Sequence, residues 1–486
     1  MEYACFTLLN KDVIYGIIVL KYDVYHAFRK EILLKKQSLK KEKNNAVPSV
    51  RKLAYDSVYA VKYKGVYSNL YISQSIKKYR LLDRDRVFYT ELVYGTLENI
   101  KFLDYVIDKF SNVKVDKLSK EVLTILEVSL YQIHYMDGVQ NFAVVNEMVN
   151  LAKVVWHNAR IPSFVNGILR NILRNPNAFD ILLPPGKKRL SIEYSVSEWI
   201  SELLINQYSL EKAEDILYAL SQHPAIYLRV NMNKVTTDRL KEKLCSLGVD
   251  TEKVVGFDNI LQTKHFNGIE KNEYFLKGYF TIQDISSVCC IKALSPKTGE
   301  KILDICAAPG GKTTAIAEII GEKGIVFSND KGVNKLNLIS QSAKRLCLDN
   351  IELSDIDACE FQENWKEMFD RVLVDVPCSG LGVIRRKPEI RYKQGVEFKS
   401  LYPIQKKILD NASQYVKKDG ILIYSTCTLN REENQEVIHH FLSTHTNFTL
   451  DDMIIPTLGQ VYGMVELLPD EGQWDGFFIS KLKRIQ

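Results

Sequence analysis

Residues 302–316 constrain the fold of this chain more than any other stretch. An apolar run, Ile302-Leu-Asp-Ile305, passes through Cys306-Ala307-Ala308-Pro309-Gly310-Gly311 into Lys312-Thr-Thr-Ala-Ile316. The first part reads as a buried strand and the last as a helix. The small residues between them read as a turn whose bare backbone a ligand can approach. From Gly299 the order strand, turn, helix recurs, with candidate strands at 301–305, 324–328, 351–353, 371–375, 420–425 and 476–482. Such alternation predicts an α/β, Rossmann-like domain over 296–486: a doubly wound, mostly parallel sheet covered on both faces, with ligands at the carboxyl ends of its strands.

The other segments differ in pattern. Over 50–180, apolar residues return at helical spacing (Ala54, Val58, Val61; Val122, Ile125, Leu126, Leu130; Val144, Met148, Leu151) with few Gly or Pro, which predicts an all-α domain. Read blandly, such a bundle is a packing module without chemistry. Pro184-Pro185-Gly186 breaks the chain, and over 190–295 helices mix with short strands such as 225–230, a small α+β connecting domain. Residues 1–49, with the charged, polar stretch 35–45, form an extension of unclear class. A length of 486 residues fits roughly two to four domains.

Charge and composition narrow the function classes. A net charge of +6 is compatible with a nucleic-acid partner without requiring one. The nine cysteines are scattered, with no CxxC pair, and histidines number only eight, so neither a disulfide framework nor a metal site is expected, and a reducing cytoplasm is. The apolar run at 13–20 is too short for the roughly 20 residues of a membrane span. A soluble monomer is expected.

The turn at 306–311 is not a phosphate loop, because Cys306 stands where a Walker motif needs its first Gly. An acid near the end of each following strand, Asp330 and then Asp357, can instead grip ribose hydroxyls and an adenine amino group. Either Asp alone reads as a turn or cap residue. In order, they favour S-adenosylmethionine. Two cysteines share the same sheet edge, in Asp375-Val-Pro-Cys378-Ser-Gly and Tyr424-Ser-Thr-Cys427-Thr. A lone Cys is usually inert filler, the reading given to Cys289, Cys290, Cys347 and Cys359. Placement at strand ends near basic residues turns Cys378 and Cys427 into candidate nucleophiles. Asp375 could hold a pyrimidine's N3 and exocyclic amine. The run Arg385, Arg386, Lys387, Arg391 reads as facing phosphates. Chemistry alone does not choose between the two thiols.

The order CAAPGGKT, an acid after the second strand, DxPCSGxGxxRRxPExR, STCTLxxEEN and LLPxxGxxDGFFxxKL resembles the RNA cytosine-5 methyltransferases. In the helical part, Leu92-Val-Tyr-Gly95, Ala143-Val-Val-Asn146-Glu and Phe164-Val-Asn-Gly167-Ile-Leu-Arg170-Asn171 resemble the NusB-like RNA-binding domain fused to the RsmB (Sun/Fmu) branch. Leu228-Arg-Val-Asn231 and Gln283-Asp-Ile-Ser-Ser287 resemble the connecting domain of that branch. The resemblance covers roughly 50–486 and implies methylation of carbon 5 of a cytosine in small-subunit ribosomal RNA. It implies Cys427 as nucleophile, Cys378 in product release, Asp375 at N3, and Lys312 positioning base or cofactor. The cofactor would lie against Cys306, Ala307, Ala308, Pro309, Gly310, Gly311, Lys312, Asp330, Asp357 and Asp375. A tRNA or another ribosomal site is the alternative substrate, and a non-catalytic assembly factor the alternative class, which the intact thiols oppose.

Overall fold

The computed structural model describes residues 48–156, 160–470 and 474–486. Residues 54–486 form one compact unit. The expectations placed on 1–47, including the apolar run and the charged stretch, lie outside the described residues.

Helices Val50–Lys64, Ser68–Tyr79, Asp83–Phe110, Lys120–Tyr135, Asn141–Val155 and Arg160–Leu173 make up the helical part. The residues that recur at helical spacing are the ones buried: Leu92, Leu97, Leu126, Leu130, Met148 and Leu169. Glu127, also buried, is neutralised by a direct contact with Lys62.

In the connecting part, strands β1 (Ile226–Val230), β2 (Glu252–Lys253), β3 (Ile260–Thr263) and β4 (Phe280–Ile282) form an antiparallel sheet in the order β2-β3-β1-β4. The three helices ahead of it, Lys187–Glu193, Glu198–Gln207 and Leu210–Ser221, bury Leu190, Ile200, Leu204, Ile216 and Leu217 together with Leu381, Ile384, Ile390 and Leu429 of the C-terminal part.

The C-terminal sheet contains β5 (Lys301–Asp304), β6 (Ile325–Asn329), β7 (Ile351–Ser354), β8 (Phe369–Asp375), β9 (Val416–Thr426), β10 (Phe448–Leu450), β13 (Met464–Leu467) and β14 (Phe477–Arg484). A separate hairpin pairs β11 (Asp452–Ile455) with β12 (Gly459–Tyr462). The order is β10-β14-β9-β8-β5-β6-β7, with β13 on β14. Strands β5 to β9 are parallel, whereas β14 enters antiparallel beside β9 and carries β10 and β13 antiparallel to itself. The short pieces β10 to β13 carry no alternation long enough to be legible as strands in the sequence.

Successive residues feed opposite faces of this sheet. Ile302, Leu373, Ile421, Ile423 and Ile479 join one core with helix Ile285–Leu294, while Leu303, Val372, Val374, Leu422, Tyr424 and Phe478 join the other with helices Leu401–Tyr415 and Gln435–Thr444. A sheet covered on both sides explains why its strands are continuous apolar runs. Because β5, β6, β8 and β9 run parallel, residues 306, 330, 378 and 427 follow strand ends along one edge. The order turns at β5, which has β6 on one side and β8 on the other, so the crevice opens beyond β5.

Candidate active site

Beyond β5 the chain makes a tight turn pinned to its neighbours. Ala307 N–H donates to the Asn329 carbonyl (2.8 Å), Ala308 N–H to Asp330 Oδ2 (2.9 Å), and Gly310 N–H to the Ala307 carbonyl (2.8 Å). Gly310 caps helix Gly311–Ile320 at φ +98°, a left-handed conformation that disfavours a side chain. A cleft opens there, lined by Gln283, Ser287, Asp304, Cys306–Pro309, Gly311, Lys312 and Asp375.

Lys312 and Asp375 meet across the cleft. Lys312 Nζ donates to Asp375 Oδ2 (2.7 Å) and Ser425 Oγ to Oδ1 (2.9 Å). Burial opposes the Lys312 charge, but Asp375 outweighs it and holds the ammonium above its ordinary range. Burial also pushes the Asp304 carboxyl up to about 7, although Thr313 Oγ1 donates to its Oδ2 (2.7 Å).

Cys378 and Cys427 come together with their sulfurs 3.2 Å apart. The hydrogen bond from the Cys378 thiol lowers the pKa of Cys427, with Lys387 and Lys312 adding positive potential. The same bond, then burial, drives Cys378 well above the ordinary thiol value. The pair is therefore asymmetric, with Cys427 the more readily ionised of the two.

A buried carboxylate that the sequence reading passed over ties the two cysteine loops. Glu433 Oε2 accepts from Ser379 N–H (2.8 Å) and Gln405 Nε2 (2.9 Å), and Oε1 accepts from Ser379 Oγ (2.5 Å) and Asn430 Nδ2 (3.2 Å). Backbone bonds continue the tie: Gly382 N–H donates to the Cys427 carbonyl (3.0 Å) and Gly476 N–H to that of Gly382 (2.9 Å). A Cβ on Gly382 would lie 2.0 Å from the Gly476 oxygen, so this crossing admits no side chain. The glutamate stood within the quoted STCTLxxEEN pattern, and its burial between two polar neighbours was the missing signal.

Other expectations need placing or correcting. Asp330 stands at the end of β6, with Oδ1 taking a bond from Lys335 Nζ (2.8 Å). Asp357 lies past β7, where Lys331 Nζ (2.6 Å) and Cys359 N–H (2.9 Å) hold its carboxylate and lower its pKa. The basic run does not face outward as a unit. Arg385 and Arg386 both pair with buried Asp475, Arg386 also reaches Asp284 Oδ2 (2.8 Å), and Arg391 is 2% exposed, donating to the carbonyls of Tyr194 (2.8 Å) and Leu220 (3.0 Å). Only Lys387 of the four is exposed. These arginines brace the Cys378 loop against neighbouring elements, a use of charge that sequence spacing cannot distinguish from phosphate binding. Cys289 and Cys290 are core residues, with burial pushing both thiols to about 12. Cys347, expected as filler, is exposed, and Lys234 Nζ lies 3.3 Å from its sulfur. Among the described residues no three His, Cys, Asp or Glu side chains gather as a metal site, and no helix is long and apolar enough to cross a membrane.

Known proteins resemble this chain over nearly its whole length. The 16S rRNA methyltransferase RsmB/F family matches residues 291–483, the NusB family 48–174, and a ferredoxin-like domain of RsmF/B-like methyltransferases 196–264. A Bacillus subtilis (strain 168) protein named probable ribosomal RNA small subunit methyltransferase B is 39% identical, the match covering 90% of this chain and 99% of that protein. A Synechocystis protein of the same name is 33% identical over the same shares. Among solved structures, PH0851 has the same fold, with a TM-score of 0.75 at 23% identity over 91% of this chain and all of that one. A methyltransferase homolog from Pyrococcus horikoshii scores 0.54 at 27% identity, covering 62% of this chain and all of its own.

Proposed function

Since the chain belongs to the RsmB/F family of 16S rRNA methyltransferases, we propose that it methylates carbon 5 of a cytosine in small-subunit ribosomal RNA, through a covalent bond between Cys427 and carbon 6. The observation that carries this reading is the 3.2 Å approach of the two sulfurs, which leaves Cys427 the more readily ionised of the pair. Carbon 5 of cytosine is a poor nucleophile. Addition of the Cys427 thiolate to carbon 6 breaks the 5,6 double bond and leaves carbon 5 electron-rich.

Lys312 and Asp375, paired in the cleft, both act on the charge of Cys427, and Asp375 is the group that would meet N3 of the base. Asp375 accepts from N3 as it gains a proton, while Lys312 keeps the site's charge balanced. Attack comes from above the ring plane, so the base must leave its stack. Water takes the carbon 5 proton, the electron pair of that C–H bond re-forms the 5,6 double bond, and the Cys427 sulfur leaves as thiolate while N3 gives up the proton it had gained. Cys378 promotes that release.

S-adenosylmethionine, when bound, supplies the methyl group. The residues suit it in kind: main chain at 306–309 and Gly311 lines the cleft, and outside that lining Asp330 and Asp357 follow the next two strands, where they would serve the ribose hydroxyls and the adenine amine.

Bisulfite sequencing of total RNA with and without the gene is expected to reveal one small-subunit cytosine that loses its mark. Cys427→Ala should abolish transfer, whereas Cys378→Ala should accumulate a protein–RNA adduct. Turnover retained in Cys427→Ala would reverse the two roles, and an unchanged cytosine map would remove the activity.

A further inference from the structure

Two thiols in contact have a second chemistry open to them besides addition to a base. Cys378 and Cys427 come from neighbouring strands. β8 and β9 pair in parallel register up to Asp375 and Ser425, Val376 N–H donates to the Ser425 carbonyl (3.2 Å), and each cysteine follows within three residues. Adjacent strands lie about 4.8 Å apart, inside the range of about 4.4–6.8 Å between α-carbons that a disulfide spans. The sulfurs already stand 3.2 Å apart, so a bond of about 2 Å asks for roughly 1 Å of further approach.

The bonds that hold the two loops leave the thiols free to close. Glu433 grips Ser379, and Gly382 N–H grips the Cys427 carbonyl, so the ties run through main chain and neighbouring groups. Either cysteine side chain can turn without breaking them. Both thiols are partly exposed, unlike Cys289 and Cys290 in the core. A thiolate is the form that reacts with a peroxide, and Cys427 is the more readily ionised of the pair. The sulfenic acid so formed either goes on to sulfinic acid, which is irreversible, or condenses with a thiol. A thiol already in contact wins that competition, because its attack is intramolecular.

We infer that Cys378 is also a resolving cysteine, and that peroxide closes Cys378 and Cys427 into a disulfide that switches the site off reversibly. The Cys427 thiolate displaces hydroxide from hydrogen peroxide and becomes a sulfenic acid. The Cys378 sulfur then attacks the Cys427 sulfur, its proton leaves with the expelled hydroxide as water, and the S–S bond forms. In sum, one thiolate, one thiol and one hydrogen peroxide give one disulfide, one water and one hydroxide. The two sulfurs are oxidised, the peroxide is reduced, and a dithiol reverses the step by thiol–disulfide exchange. Loss of activity rests on the reading of Cys427 as the nucleophile. Formation of the bond does not.

The test treats the full chain with hydrogen peroxide, without RNA or S-adenosylmethionine. Remaining thiols are blocked with iodoacetamide, and peptides are mapped by mass spectrometry before and after reduction. The expected product joins the Cys378 and Cys427 peptides, and dithiothreitol restores both thiols. Cys378→Ala should instead carry Cys427 on to the sulfinic acid, a gain of two oxygens that dithiothreitol does not remove. Cys427→Ala should leave Cys378 reduced at the dose that links the wild type. Thermal melting of each variant guards against misfolding. Wild type that forms no linked pair, or whose Cys427 goes to the sulfinic acid, overturns the inference, as does a Cys427 in Cys378→Ala that dithiothreitol returns to the thiol. Methyl transfer, assayed alongside, should be lost on oxidation and regained on reduction, and a linked chain that keeps full activity removes the switch. A chain that links the two cysteines yet never transfers a methyl group in either state would instead remove the activity reading.

Discussion

Glu433 offers the sharpest test of how the two cysteine loops are held. Its carboxylate accepts four hydrogen bonds in a fully buried position, two of them from Ser379, next to Cys378. In Glu433→Ala the Ser379 hydroxyl can turn to Thr428 Oγ1, already 2.7 Å away, but Ser379 N–H loses its acceptor, and Gln405 Nε2 and Asn430 Nδ2 each lose one of two, keeping the Pro377 carbonyl (3.0 Å) and Tyr402 Oη (3.2 Å). Each buried, unsatisfied donor costs about 1–3 kcal/mol, and breaking a buried charged network about 3–5, so a loss of about 4 kcal/mol is expected. Glu433→Gln should lose less, about 1–2 kcal/mol. One oxygen still serves Ser379 N–H and Gln405, while the new NH₂ confronts Asn430 donor to donor. Misplacement of a reacting group by about 1 Å can cost a factor of about 100, so the alanine variant should lose turnover on that order, with glutamine between it and wild type. Urea denaturation followed by fluorescence, run beside a methyl-transfer assay, reads both quantities. An alanine variant within about 0.5 kcal/mol of wild type, the ordinary range for a bland surface change, and with normal turnover would refute the argument.

The thiol pair, the glycine crossing and Asp304 each yield a further expectation. Cys378→Ala removes the donor that lowers the Cys427 pKa, so the pH profile of Cys427 alkylation by iodoacetamide should shift upward, with slower reaction at neutral pH. A profile that stays in place would locate the lowering elsewhere. Gly382→Ala puts a Cβ 2.0 Å from the Gly476 carbonyl oxygen, with backbone on both sides, and should cost about 3 kcal/mol or more, read as a lower melting temperature or loss of soluble protein. Asp304, raised to about 7 by burial and faced by Lys312, Asp375 and Asp330, is neutral below that value and ionised above it. A cationic ligand group favours the ionised form, so affinity for S-adenosylmethionine should rise as pH passes upward through about 7, and Asp304→Asn should flatten the curve.

The two-faced sheet was legible because a strand buried on both sides is apolar on successive residues, as in Val372-Leu-Val374. The helical part was legible because Leu92, Leu126, Met148 and their neighbours must repeat along one stripe. The position of both cysteines followed from the parallel order of β5, β8 and β9, since each residue just past a strand is carried to the same edge. What failed was the reading of charge. Arg385, Arg386 and Arg391 look identical in sequence to a phosphate-facing run, yet each has partners distant in the chain, at Asp475, Asp284 and two carbonyls. A charged side chain has no periodicity that reveals its partner, so its role is decided by tertiary contact.

The same reasoning explains why the site's supports were harder to find than the site. Glycines and cysteines announce themselves through local need: Gly310 through a left-handed turn, the thiols through their rarity and placement. Glu433, Gln283 and Arg229 act through contacts distant in the chain: 54 residues separate Glu433 from Ser379 and Gln283 from Arg229, and 89 separate Arg229 from Glu318. Each is nonetheless constrained by polarity. A buried carboxylate must gather donors, and a buried guanidinium must gather acceptors, so the amide between Arg229 and the cleft has one possible orientation. The fold thereby converts an ordinary glutamine into a directed donor. Orientation of that kind cannot be inferred from residue type, but it follows once the guanidinium's partner is known.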